Sequence, residues 1–259
     1  MAKQDTVRQV AVVLAALAQI AGSALHPLGL APLSVGGRTE PVSTPVVPAG
    51  YAFAIWGVIF LLGAVFAVWQ ALPRNAEDPL LRRLGWPVAA TFAGNALWET
   101  LAQYGVGDVP LAVVLAVVVG TALIALRIVT GWPEPAGARR WWTVDAPVGL
   151  TAGWVSAALF ANLSTAVKGV TRAPDGSVLW LVLIGVAAVF AAVQVLRARG
   201  ALAYAVGVAW ALAGIAAANF VAENTPAMIC AAVGLIVLAV ATAAGRRSHR
   251  SLAPATAAA

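Results

Sequence analysis

Apolar runs of about 20 residues follow one another along almost the whole chain, and this feature limits the fold more than any other. They fall at about 7–27, 51–72, 87–105, 109–131, 146–167, 177–197, 201–221 and 226–245, each bounded by Pro, Gly or charge. About 20 apolar residues in a helix cross a hydrocarbon core roughly 30 Å thick. A backbone in hydrocarbon must satisfy its own hydrogen bonds, which a helix does within one segment. The expectation is an all-α integral membrane protein with about eight transmembrane helices. Composition agrees: only 10% of the residues are charged, against roughly 25% in soluble domains.

The run at 87–105 is the most polar of the eight, because it holds Asn95, Glu99 and Gln103. The basic residues argue for keeping it. With the amino terminus inside, eight crossings put Lys3, Arg8, Arg74, Arg82, Arg83, Arg127, Arg139, Arg140, Arg197, Arg199, Arg246, Arg247 and Arg250 in the cytoplasm. Only Arg38, Lys168 and Arg172 remain outside, a split of thirteen to three. Removing any crossing would scramble every loop after it, so the positive-inside rule supports all eight. The expected location is a bacterial cytoplasmic membrane, with both termini in the cytoplasm. A cleaved signal peptide is the alternative for the first run, which follows Lys3 and Arg8 and precedes Gly22-Ser23-Ala24. The formal charge of +6 comes from short basic clusters between apolar runs and forms no basic face, which argues against nucleic acid.

Six tryptophans, Trp69, Trp86, Trp132, Trp141, Trp142 and Trp180, fall near expected helix ends and read as interface anchors. Trp56, Trp98, Trp154 and Trp210 fall within spans. The row Ala203, Gly207, Ala211 has the four-residue spacing that lets helix backbones approach closely. Cys230 is the single cysteine, so an internal disulfide is excluded. The loop at 28–50, with Pro32, Pro41, Pro45 and Pro48, cannot be helical throughout; it reads as a lid over the outer mouth or as a passive connector. The tail at 247–259, basic and then rich in Ala, reads as disordered.

An ionisable residue within a span is costly and marks a functional site by default. Glu99 is the clearest, with Asn95 and Trp98 at helical spacing beside it. Trp56 and Phe60, with Phe53 one turn earlier, form an aromatic ridge on the second helix. Trp154, Ala158 and Asn162 repeat every four residues on the fifth. Helix direction puts His26, Trp56, Asn95, Trp98, Glu99, Asn162 and Asn219 in the outer half of the membrane and Glu223 at its surface. Their shared depth suggests one ligand site made of Trp56, Phe60, Asn95, Trp98, Glu99, Trp154 and Asn162. A mostly aromatic site with a few polar groups suits a flat hydrophobic molecule. The plainer alternatives are that the asparagines are interhelical hydrogen-bond glue, that Glu99 is a neutral structural donor, that His26 is an interface residue, and that the aromatics are packing.

Three motifs resemble the tryptophan-rich sensory protein or translocator protein (TspO/MBR) family. They are Pro48-Ala49-Gly50-Tyr51-Ala52-Phe53-Ala54-Ile55-Trp56 at the second helix, Asn95-x-x-Trp98 in the third, and Trp154-Val155-Ser156 with Ala158 and Asn162 in the fifth. The resemblance covers about residues 7–167. It implies a five-helix domain (1–168) with a pocket under the first loop for porphyrins or other hydrophobic ligands. Residues 169–246 would then be three additional helices. The family's sterol-recognition motif lacks its Tyr before Lys168.

The leading expectation is a non-enzymatic binding or sensory protein for a tetrapyrrole-like or other lipophilic ligand. No cofactor is required and no metal site is expected, porphyrin or haem entering only as ligand. The alternative is a secondary transporter with Glu99 as its coupling carboxyl; intramembrane catalysis is a third class. Expected partners are the bilayer and a hydrophobic small molecule, with a homodimer left open.

Overall fold

The computed structural model describes residues 3–35, 43–134 and 136–251, with side chains to Ser248. Arg38, Pro41 and the middle of the 28–50 loop lie outside the described residues, as do 252–259. Eight long helices and no strand occur among the described residues. They are α1 (Lys3–Ala24), α2 (Ile55–Ala71), α3 (Pro79–Gln103), α4 (Asp108–Gly131), α5 (Ala146–Thr171), α6 (Val178–Arg197), α7 (Leu202–Val221) and α8 (Thr225–Ser251). A 3-10 turn, Gly50–Ala54, leads into α2, and a short π-helical turn, Trp141–Asp145, leads into α5. All but α3 are long and apolar enough to cross a membrane by length and composition.

The exception is longer than its apolar run suggested. Asp78 caps α3, its side chain accepting from the Leu81 N–H at 3.0 Å, and Pro79 takes the first helical position, where its missing N–H costs nothing. The helix then passes through Pro87 and carries its polar residues inward: Asn95, Glu99 and Gln103 are 0%, 2% and 1% exposed. Burial between α1 and α4 makes the low hydropathy of α3 compatible with crossing a bilayer, since its polar groups face protein and not lipid.

The first five helices close a ring in the order α1, α3, α4, α5, α2. Against α5 lies α7, with α8 packed on α7 and α6. The row Ala203, Gly207, Ala211 on α7 meets Gly149 and Gly153 on α5. A Cβ on Gly207 would stand 2.8 Å from both the Leu150 oxygen and the Trp154 nitrogen, so the two backbones touch. Small residues are what allow this approach between membrane helices. The helices beyond residue 168 therefore continue the bundle through its most buried helix.

The basic clusters gather at one end of the bundle. There Arg82 forms a two-pronged ion pair with Asp5 (2.8 and 2.6 Å), while Arg74 and Arg83 lie over the rings of Trp69 and Trp132. Trp86 and Trp142 are exposed near this end, as anchors should be. Trp180 is not an anchor: it is fully buried, and its indole donates to the Pro174 oxygen at 2.8 Å. Nor does the final helix stop where the disordered tail was expected, since α8 continues to Ser251.

Candidate functional site

At the opposite end, the second part of the long loop is tied into the bundle. The Asn219 amide donates to the Pro45 oxygen at 2.8 Å, Thr44 and Ser164 share a 2.7 Å hydrogen bond, and the Ala49 N–H donates to the Gly214 oxygen at 3.0 Å. Trp210 donates to the Ala52 oxygen at 2.7 Å, which fixes the 3-10 turn before α2 to α7 and accounts for this within-span tryptophan. Val46 and Val47 are buried. Of the two readings of the loop, residues 43–49 follow the first: they form a packed cover.

Beneath that cover Trp56 from α2, Trp98 from α3 and Trp154 from α5 converge on one narrow cavity with about 30 Å³ of free room. Trp56 stacks with Trp98 (ring centres 6.4 Å apart, planes at 26°) and meets Trp154 edge-on at 6.1 Å. Such aromatic geometries are favourable beyond simple burial. Ala158 and Asn162 complete the α5 face, as their four-residue spacing requires. The sequence reading missed the rest of the wall: Val47 and Pro48 from the loop, and Ala211 and Ile215 from α7. The Ala211 signal was present in the small-residue row but pointed only to packing.

Asn162 is committed inside the protein. Its Oδ1 accepts from the Trp98 indole at 3.2 Å and its Nδ2 donates to the Ala158 oxygen at 3.1 Å. It thus sets the orientation of Trp98 and has little left for a ligand edge. By contrast, the indole N–H of Trp154 is buried with no hydrogen-bond partner among the described residues. An unpaired buried donor costs about 1–3 kcal/mol, which an occupant bearing an acceptor would offset.

Glu99 and Phe60 line a second, roomier cavity of about 200 Å³, together with His26, Ser23 and Gln103. Phe53 and Trp56 border both cavities and so form the partition between them. Phe60 stacks on Trp56 at 5.4 Å, so the expected aromatic ridge exists and faces the second cavity with its Phe60 edge. Asn95 lines neither cavity and is a correction to the expected site. It is fully buried, with its Nδ2 directed to Gln19 Oε1 on α1 at 3.4 Å. Asn95, Glu99 and Gln103 lie four apart and form the row that α3 turns toward α1, while Trp98, about 100° away around the helix, faces α5. Asn219 likewise holds the loop and does not line the cavities. The described residues contain no group of three or more His, Cys, Asp or Glu side chains placed to hold a metal.

No curated protein and no solved structure matches the chain. A family model described as TSPO-like protein matches residues 9–244. The match extends past the motifs on α2, α3 and α5 to include α6, α7 and most of α8, the helices that the motif-based resemblance left out. This multi-pass helical membrane protein belongs to the TSPO-like protein family.

Proposed function

We propose that the chain is a non-enzymatic binding or sensory protein whose aromatic cavity takes a flat, hydrophobic, tetrapyrrole-like ligand. The observation that carries this reading is the convergence of three indoles from three helices on one covered cavity. Its free room of about 30 Å³ is far below the roughly 300–1,000 Å³ common for small-molecule sites, so a ligand of this class must open the cavity as it binds. The cavity is narrow because the indoles lie against one another. A macrocycle enters by displacing Trp56 from its stack on Trp98, which joins the two cavities across their shared partition. The ring then stacks between indoles, and an acceptor on its rim meets the free Trp154 N–H.

The basic end faces the cytoplasm in this reading, by the positive-inside rule. The loop end and both cavities then lie in the outer half of a bacterial cytoplasmic membrane, where a lipophilic ligand reaches them from outside or from the outer leaflet.

The test is a titration of detergent-purified protein with protoporphyrin IX, followed by quenching of tryptophan emission and by the porphyrin's main absorption band. Saturable quenching at micromolar concentration or below, weakened at least tenfold by Trp154→Leu, is the expected result. Quenching without saturation, or equal binding by the variant, would overturn the reading. Loss of the absorption band during incubation would replace binding with breakdown.

A further inference from the structure

We propose that the second cavity, on the α1 side of the Trp56 partition, is a separate site for a cationic nitrogen bearing N–H donors, such as a primary ammonium group on a lipophilic molecule. Glu99 is 2% exposed and forms part of the cavity wall, yet its carboxyl has no hydrogen-bond or ion-pair partner among the described residues. Its Oε2 rests against Gly22, where a Cβ would come within 3.4 Å of it. A carboxyl this deep in a membrane protein is expensive unless something supplies a counter-charge.

The donors of Gln103, Ser23 and His26 beside Glu99 are already used. Gln103 donates through Nε2 to the Gly22 oxygen (2.7 Å) and the Glu99 backbone oxygen (3.1 Å), and its Oε1 accepts from the His26 N–H (2.9 Å). Ser23 donates its hydroxyl hydrogen to the Ile20 oxygen at 2.8 Å. His26 Nδ1 lies 3.1 Å from the Ala31 oxygen, and a carbonyl only accepts, so the ring hydrogen sits on Nδ1 and a neutral ring keeps an acceptor at Nε2. Of Ser23, His26, Glu99 and Gln103, what remains for an occupant is a carboxyl and an imidazole lone pair, both acceptors. A ligand that matches them brings donors and positive charge. The rings of Trp56 and Phe60 in the same wall add attraction for a cation. One carboxyl and one imidazole are too few ligands for a hard metal ion, which favours nitrogen.

A small amine occupies this cavity with the Trp56 partition in place, and the experiment, run without a macrocycle, keeps the two cavities apart. Equilibrium dialysis of the full-length protein in detergent would compare 9-(aminomethyl)anthracene with 9-(hydroxymethyl)anthracene, which share a ring and differ in charge. The expected result is at least about tenfold tighter binding of the amine, the usual gain from a charge-assisted contact. Glu99→Gln abolishes that preference while leaving the alcohol unchanged, and Trp154→Leu keeps it. Ser23→Phe, which fills the cavity from its α1 side, removes amine binding and serves if Glu99→Gln does not fold. Equal binding of the two probes by the unmodified protein would overturn the proposal. So would a preference that survives Glu99→Gln, or one that Trp154→Leu removes.

Discussion

Replacing Gly207 with alanine tests whether α7 is a working wall of the aromatic cavity. The added Cβ would lie 2.8 Å from the Leu150 oxygen and the Trp154 nitrogen, whereas ordinary contacts begin at 3.4 Å, so α7 must retreat by the difference, 0.6 Å. Backbone atoms on both sides leave no flexible side chain to absorb the shift. Overpacking of this kind costs about 1–3 kcal/mol, offset by about 0.5–1 kcal/mol of helix propensity gained on leaving glycine. A net loss near 1–2 kcal/mol corresponds to a fall in Tm of about 2–8 °C for a chain of this size. The control is Gly185→Ala on α6, where the new Cβ has nothing within 4 Å. That change gains the propensity without the clash and should raise Tm slightly. Thermal unfolding in one detergent, followed by tryptophan emission, reads both. Because Ala211 and Ile215 ride on the same helix, Gly207→Ala should also weaken ligand binding in the aromatic cavity. Should Gly207→Ala raise Tm as Gly185→Ala does, the close α5–α7 contact is not what holds the wall in place.

The pair Trp98 and Asn162 should behave as one unit. Asn162→Leu leaves the buried Trp98 N–H unpaired and costs about 1–3 kcal/mol, and adding Trp98→Phe should recover part of that loss; strictly additive changes in a double-mutant cycle of Tm values would show that the 3.2 Å hydrogen bond is idle. Topology is tested by single cysteines in a Cys230→Ala background, at Gly176 between α5 and α6 and at Gly137 before α5, both in open space. A membrane-impermeant maleimide on intact cells should label Gly176→Cys alone, and labelling of Gly137→Cys instead would invert the assigned orientation.

Periodicity and charge were enough to count eight helices and to set most of their ends within a few residues, because each span carries its own apolar signal; the polar start of α3 at Pro79 and the basic end of α8 at Ser251 carry none and lay beyond the expected bounds. Side-chain direction was harder to read. Asn95, Trp98 and Glu99 share one helical face within about 100°, an arc that by itself implies a single pocket. In the bundle that arc faces two neighbours: α1 takes the Asn95 and Glu99 edge, and α5 takes the Trp98 edge. Spacing along one helix gives relative angle but not the identity of the neighbour at each angle. The same limit hid the function of α7, whose small residues announced a close contact without naming Gly149 and Gly153 as its counterpart.

The partition between the cavities follows from that division of α3. Phe53 and Trp56 stand where α2 closes the ring between α1 and α5, so one aromatic layer separates an apolar space with a free indole donor from a space rich in acceptors. Two flanking sites with opposite hydrogen-bonding demands can be occupied independently by small ligands. A larger ligand that displaces Trp56 must meet both demands at once, offering an acceptor toward Trp154 and a donor toward Glu99. Under the proposed function, selection among flat hydrophobic molecules would rest on the polarity of their two edges, a criterion that ring size alone does not supply.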